Sequence, residues 1–134
     1  MHRTSVVAAL IRENSRILIC QRRPDQLHAG KWEFPGGKLE AGESPRKGLA
    51  RELKEELGIR AQIGAEVERY EYCHPGGKPL LLIFHAVEEY KGELQNRIFA
   101  DIRWVELSTL PEFDFLEGDA QIVERLAAGL TAGA

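Results

Sequence analysis

Three glutamates, Glu52, Glu55 and Glu56, are spaced so that their carboxylates could act together, for example in binding a metal ion. They lie three and four positions apart in a predicted helix, so their side chains share one face and repel one another by about 0.2–0.5 kcal/mol per pair. Arg51, one turn before Glu55, offers partial relief. A divalent cation such as Mg²⁺ would neutralise the acids, because it binds carboxylate oxygens and water and keeps sites for further oxygen ligands. From the helix alone, an acidic face that is merely solvated is an equally good interpretation.

The helix that would position these acids is predicted over residues 45–57. Ser44 can cap its N-terminus, Pro45 suits its first turn, and Gly58 stands where a left-handed residue ends a helix. At about 100° per residue, its apolar side chains gather in one stripe beside the acidic face. This stripe, which we expect to be buried, consists of Leu49, Ala50, Leu53 and Leu57.

The rest of the chain reads mainly as strands. They are predicted at residues 6–11, 17–21, 32–34, 61–72, 80–87 and 102–105, with turns at 13–16 and 74–77. Asp119 can cap a C-terminal helix whose apolar stripe is Ile122, Val123, Leu126 and Leu130. The order of strands, helix, strands and helix predicts an α/β (α+β) fold with a mixed β-sheet sandwiched between helices. The length of 134 residues predicts a single domain over 1–134.

Composition and charge narrow the class of protein. The chain has the hydrophobic fraction of a globular protein, 43%, and its net charge of −3 offers no basic footprint for a nucleic-acid polymer. The early apolar run at residues 6–11 is too short to span a membrane and poorly shaped as a secretory signal. We therefore expect a cytoplasmic protein that does not associate with membranes. Cys20 and Cys73 are isolated, which predicts two reduced thiols within strands.

A longer motif surrounds the glutamate helix. The pattern G-x5-E-x7-R-E-U-x-E-E-x-G-U, with U a bulky aliphatic residue, is satisfied by Gly37, Glu43, Arg51, Glu52, Leu53, Glu55, Glu56, Gly58 and Ile59. This motif resembles the Nudix box without a departure, and it is far more specific than a lone glycine-rich triplet. The stretch WEFPGGK at residues 32–38 is similar, more narrowly, to the MutT-type nucleoside triphosphate pyrophosphohydrolases.

The resemblance implies a loop, a helix and a loop in which the acids hold Mg²⁺, or Mn²⁺ as a substitute, over the substrate diphosphate. By motif position, Glu52 and Glu56 are the leading metal ligands. Glu55 lies beside them, and the Gly37 carbonyl is expected to be a backbone ligand. Arg51 would orient the acids.

The implied reaction is the attack of a metal-activated water on a phosphorus of a nucleoside triphosphate, at the β position in this branch. The products are a nucleoside monophosphate and pyrophosphate. Some relatives carry a further glutamate where this chain has Ile98. The expected general base is therefore Glu52 or Glu55.

Four residues are expected to bind the substrate by the same resemblance. Arg23 matches an arginine that contacts phosphates, and Lys38 is a second candidate cation, although both could be merely solvated. Phe34 would pack near the nucleobase or in the core. Asp119 matches a residue that reads the base edge, with helix capping as the alternative. Gly118 stands where the oxidised-guanine enzyme has asparagine, so Asp119 looks closer to relatives that act on CTP or related pyrimidines, with modified or oxidised dNTPs as further candidates.

Two other functions remain open. Pro75, after the box, is reminiscent of ADP-ribose enzymes, although its Pro-Gly-Gly turn explains it by backbone geometry. Hydrolysis of ADP-ribose or of a dinucleoside polyphosphate is therefore an alternative. A non-catalytic Nudix-fold nucleotide-binding module is disfavoured, because every acid of the box is present. The expected partner is a small-molecule nucleotide, and the oligomeric state is a monomer or a homodimer.

Overall fold

The computed structural model describes residues 4–129. Its strands are β1 (Thr4–Glu13), β2 (Arg16–Gln21), β3 (Trp32–Glu33), β4 (Gly36–Lys38), β5 (Arg60–Gln62), β6 (Glu66–Cys73), β7 (Pro79–Val87), β8 (Glu89–Lys91) and β9 (Asp101–Glu106). The helices are α1 (Pro45–Leu57) and α2 (Ala120–Ala128), and two short 3₁₀ helices span Leu107–Glu112 and Glu117–Asp119.

The main sheet is mixed, and β1 is its central strand. β1 pairs antiparallel with β2 and β4 and parallel with β7. The order β3-β2-β1-β7-β6 completes the path, with β9 paired to β2, while β5 and β8 form a separate two-stranded sheet. Side chains of a strand alternate between two faces, so Val7, Ala9 and Ile11 enter one core and Leu10 enters the other. Both faces of the sheet are therefore covered.

Each helix covers one face. The stripe of α1 buries Leu49, Leu53 and Leu57 in one core, with Ala50 half-buried beside it. The stripe of α2 buries Ile122, Val123 and Leu126 in the other core. Leu130, expected on the same stripe, lies outside the described residues. The expected α/β (α+β) class, a mixed sheet between helices, is confirmed.

The strand expected over residues 61–72 is wrong in one respect, because the chain forms β5 and β6 with a break between them. Gly64 lies in this break, where its N–H donates to the Ala86 carbonyl at 2.7 Å. A Cβ at this glycine would lie 2.8 Å from the same oxygen. On either side of this contact the two segments join different sheets, because β5 pairs with β8 and β6 pairs with β7. The short strands β4 and β8 were not expected.

The two helices differ in how they begin. The Ser44 hydroxyl accepts the Lys47 N–H at 3.2 Å and Gly58 has a φ of 68°, so both expected ends of α1 are confirmed. The capping role expected for Asp119 is wrong: within residues 4–129 its side chain makes no hydrogen bond to the start of α2, and its backbone is helical, with φ −92° and ψ 0°. A capping residue has non-helical backbone angles.

Neither helix in this part of the chain has the length and hydropathy needed to cross a membrane.

Candidate active site

The site begins where β4 lies between β1 and α1. Gly36 has a φ of 151°, and a Cβ there would lie 2.0 Å from the Val7 carbonyl oxygen, so only glycine lets β4 pair with β1. A Cβ at Gly37 would lie 2.7 Å from the carboxylate of Glu52. The two glycines thus bring bare backbone against an acid of α1.

Glu52 and Glu56 form an acidic pair beside this backbone. The Gly36 N–H donates to Glu56 Oε1 at 3.3 Å, and Glu56 is buried, with 7% of its surface exposed. Burial raises the pKa of Glu56 well above its usual range, and a hydrogen bond with Glu52 raises it further. A buried carboxyl that resists ionising, next to a second carboxyl, forms a donor set whose charge a divalent cation would neutralise. We call Gly37, Glu52 and Glu56 the carboxylate cluster.

Arg51 connects α1 to the loop that precedes it. Its Nε and Nη2 donate to the two oxygens of Glu43 at 2.7 and 3.0 Å, and its Nη1 donates to Glu52 Oε1 at 3.1 Å. Paired hydrogen bonds of this kind fix geometry as well as charge, and those from Arg51 lower the pKa of Glu43 to about 2. Because the same guanidinium holds Glu52, Arg51 aligns the carboxylate cluster with the loop.

The carboxylate cluster opens into a cavity of about 930 Å³. A volume of this size suits a small-molecule ligand. The cavity has an aromatic wall, which we define as Phe34, Tyr72, Phe84 and Phe115. The charged residues that line it include Arg22, Glu33, Lys38, Glu52, Glu56, Glu117 and Asp119.

Phe34 lies in the core and in the wall of the cavity at once. It is 4% exposed, and its ring packs against Phe115 at 5.2 Å and against Phe84 at 6.5 Å between centroids. The aromatic wall therefore presents fixed rings to the cavity. Trp32, by contrast, packs on Phe113 and does not line the cavity.

Asp119 and Glu33 form a second acidic pair in the cavity. Burial raises the pKa of Asp119 to about 8, and the negative charge of Glu33 adds to the effect. Burial also raises the pKa of Glu33, while Arg22 opposes that rise through its Nη1, 3.1 Å from Glu33 Oε1. A pKa near 8 favours the neutral form of Asp119 at neutral pH, and Glu33 in the same cavity is paired with Arg22.

Glu33 and Arg22 were not singled out as site residues in the sequence. Glu33 stands between two aromatic residues in the WEF stretch, and Arg22 directly follows a predicted strand. The position of Glu33 between two aromatic residues could have indicated that it has a partner, since burial of an unpaired charge is costly. Only the pairing of β2 with β3 reveals that the two residues meet.

Three expected site residues do not line the cavity: Arg51, which reaches it only through its hydrogen bond to Glu52, and Glu55 and Arg23. Glu55 does not line it, and its side chain is 59% exposed, with Arg51 as its partner at 3.3 Å. Arg23 does not line it either: its Nη1 donates to the Ile98 carbonyl at 2.5 Å and its Nε to Asp25 at 3.0 Å. Lys38 does line the cavity.

Across residues 4–129, no three acid, histidine or cysteine side chains lie close enough together to form a complete metal site. This agrees with a cation that takes few protein ligands.

Comparisons with known proteins cover almost the whole chain. The family model for the NUDIX domain matches residues 1–126. The chain is 35% identical over 127 residues to the 8-oxo-dGTP diphosphatase of Escherichia coli (strain K12), covering 94% of this chain and 98% of the relative. It is equally 35% identical over 128 residues to the CTP pyrophosphohydrolase of the same strain, covering 96% and 92%.

Among solved structures, the E. coli ORF135 protein superposes with a TM-score of 0.85 at 34% sequence identity, covering 96% of this chain and 91% of that one. The agreement in fold thus extends over the strands and helices that build the cavity, and not only over the motif. Because the family model and these relatives span nearly all of it, this chain belongs to the Nudix family of hydrolases.

Proposed function

We propose that this protein hydrolyses a nucleoside triphosphate to a nucleoside monophosphate and pyrophosphate, in a reaction that depends on Mg²⁺ and that Mn²⁺ also supports. The observation that carries the proposal is that one cavity holds both the carboxylate cluster and the aromatic wall with its Asp119–Glu33 pair. A nucleotide needs both kinds of surface, since its phosphates and its base differ in charge and polarity.

Divalent cations are generally used by this family, and the carboxylate cluster fits one. The carboxyls of Glu52 and Glu56 and the Gly37 carbonyl would hold the cation. When bound, the cation neutralises phosphate charge and lowers the pKa of a water molecule. Magnesium and manganese suit these ligands because both favour carboxylate and carbonyl oxygens.

The residues of the chain then have distinct proposed roles. Lys38 and, after it leaves the Ile98 carbonyl, Arg23 would bind phosphate oxygens. Water forms a bond to the β-phosphorus while the bond from that phosphorus to the α–β bridging oxygen breaks, so the monophosphate leaves with the bridging oxygen. Glu52 takes the proton from the water. We favour Glu52 over Glu55 because only Glu52 lines the cavity, and Arg51 would hold its carboxylate in place.

The base would lie against the aromatic wall, where Phe34 and Phe115 offer ring contacts. Neutral Asp119 can donate one hydrogen bond, and the Glu33 carboxylate can accept one. Cytosine and adenine both pair an amino donor with a ring-nitrogen acceptor on one edge and so complement these two acids. Of the two we propose cytosine, because one relative of the chain is a CTP pyrophosphohydrolase. At Gly118 a Cβ would lie 3.2 Å from the Tyr72 ring, so a side chain there would crowd this wall.

A substrate panel tests the proposal. CTP, dCTP, the other common triphosphates, 8-oxo-dGTP, ADP-ribose and a dinucleoside polyphosphate are each incubated with Mg²⁺, with Mn²⁺ and with EDTA. We expect equimolar monophosphate and pyrophosphate from a triphosphate, best from CTP or dCTP, and none with EDTA. Faster turnover of ADP-ribose or the dinucleotide would replace the proposal. Tight nucleotide binding with no turnover on any compound would leave a binding module instead.

We also propose that the chain acts as one domain on free cytoplasmic nucleotides and binds no nucleic-acid polymer, which its net charge of −3 supports. Sedimentation or light scattering would decide between a monomer and a homodimer.

A further inference from the structure

The hydroxyl of Tyr70 lies at the turn that leads into α2. Tyr70 is on β6, outside the residues that line the cavity, and its ring stacks on Phe84 with 5.7 Å between centroids. Its hydroxyl donates to the Gly118 carbonyl at 2.6 Å. The phenol thus contacts the backbone of the residue directly before Asp119.

Asp119, which follows Gly118, does not act as a helix cap. The 3₁₀ helix Glu117–Asp119 runs directly into α2, with the Asp119 N–H bonded to the Leu116 carbonyl at 2.9 Å, and this keeps the Asp119 backbone helical. An aspartate at a helix start normally accepts an N–H from the first turn, which stabilises the helix by about 1 kcal/mol. Here the Asp119 side chain makes no such bond and lies in the cavity wall, while the Tyr70 hydroxyl holds the carbonyl of the preceding residue, Gly118.

We propose that Tyr70 is a positioning residue for base selectivity: by donating a hydrogen bond to the Gly118 carbonyl, it fixes the backbone next to Asp119 so that the Asp119 carboxyl stays in the cavity rather than on the helix. This rests on the proposed base-reading role of Asp119. Tyr70 itself touches neither the substrate nor the carboxylate cluster. It therefore affects which base binds, and hence KM, more than the rate of the chemical step.

The experiment is a double-mutant cycle of Tyr70→Phe and Asp119→Ala. For each protein, kcat and KM are measured on the best triphosphate and on the next-best base. Phenylalanine keeps the ring packed on Phe84 but removes the hydroxyl. We expect Tyr70→Phe to lower the selectivity ratio of kcat/KM by about 3- to 10-fold, the effect of one hydrogen bond, through KM, with kcat on the best substrate changed less than about 2-fold. In the Asp119→Ala protein, the same substitution should leave the ratio unchanged.

Tyr90→Phe is the matched control, because Tyr90 on β8 packs against the core of α1 and does not line the cavity. It should leave the ratio unchanged. If Asp119→Ala leaves selectivity intact, base reading by Asp119 is wrong, and the inference falls with it. If Asp119→Ala lowers selectivity while Tyr70→Phe does not, or if the two effects simply add, the role of Tyr70 alone is overturned.

Discussion

Neighbouring acids of α1 acquire different chemistry from their surroundings. Glu55 has a side chain that is 59% exposed, whereas that of Glu52 is 15% exposed and Glu56 is buried. Desolvation acts on the charged form of a carboxyl, so Glu56 resists ionisation and gains most from a bound cation. The motif treats the three glutamates as a group, but burial assigns them separate roles.

Replacement of Glu56 tests this difference between residues. We expect Glu56→Gln to lower kcat by at least about 100-fold, because it removes a carboxylate from a metal-centred site. The metal-free protein should keep its thermal stability, since a buried acid that resists ionising is removed. Steady-state kinetics and unfolding in EDTA measure both.

Glu55→Gln, on the same helix, should lower kcat by less than about 10-fold, because surface ion pairs contribute little. An equal loss of kcat in the two variants would show that Glu55 also belongs to the metal site.

Among the elements, the short strand β4 connects the sheet to the site. It pairs with β1 through Val6, Val7 and Ala8, and it places Gly37 against Glu52. This close packing is possible only without side chains on one side of the strand. The position of β4 therefore depends on glycine as much as on hydrogen bonds.

Gly36→Ala should displace β4. Its Cβ would clash with the Val7 carbonyl in a backbone conformation that alanine disfavours, so we expect the free energy of unfolding to fall by roughly 2–5 kcal/mol. Activity should fall with it, because Gly37 moves away from Glu52. Urea unfolding and kinetics measure the two effects.

Gly129→Ala serves as the control, since Gly129 has a φ of 73° with nothing within 4 Å of its Cβ position. This variant should lose only about 1–2 kcal/mol and keep its activity. Wild-type activity in a folded Gly36→Ala protein would contradict the proposed placement of β4.

At the scale of the whole molecule, acids held in the cavity, where they can meet a ligand, lower the stability of the folded protein. Asp119 has a folded-state pKa of about 8 against 3.8 for the unperturbed group. A raised pKa means that the folded protein holds the proton more tightly, so the associated stability is present below about pH 4. It is lost as the pH rises to about 8.

Asp119→Asn removes this titration. We expect wild type and variant to have similar Tm values near pH 4, and the variant to become the more stable by a margin that grows as the pH approaches 8. Calorimetry in EDTA at several pH values measures the difference. A gap that is constant with pH, or that narrows on the alkaline side, would show that Asp119 is not held neutral by burial.

Local patterns were sufficient for much of the fold. Ser44, Pro45 and Gly58 predicted the bounds of α1, because helix ends depend on the hydrogen bonds and backbone angles of adjacent residues. Apolar periodicity predicted the buried stripes of both helices. The same reasoning was wrong for residues 61–72, where the chain breaks at Gly64 between β5 and β6. It was also wrong for Asp119, because the 3₁₀ helix Glu117–Asp119 leads directly into α2 and keeps the Asp119 backbone helical.

The sequence by itself determined the motif, the family and the helix that carries the acids, since these depend on residue type and on spacing along the chain. Only the tertiary structure decided that Glu52 and Glu56 share the cavity while Glu55 faces solvent, and that Glu33 joins Asp119 there. Burial and pKa depend on contacts between residues distant in sequence, which no local pattern encodes. The glutamates of α1 therefore indicate a hydrolase, and the packing around them determines which acids can act in it.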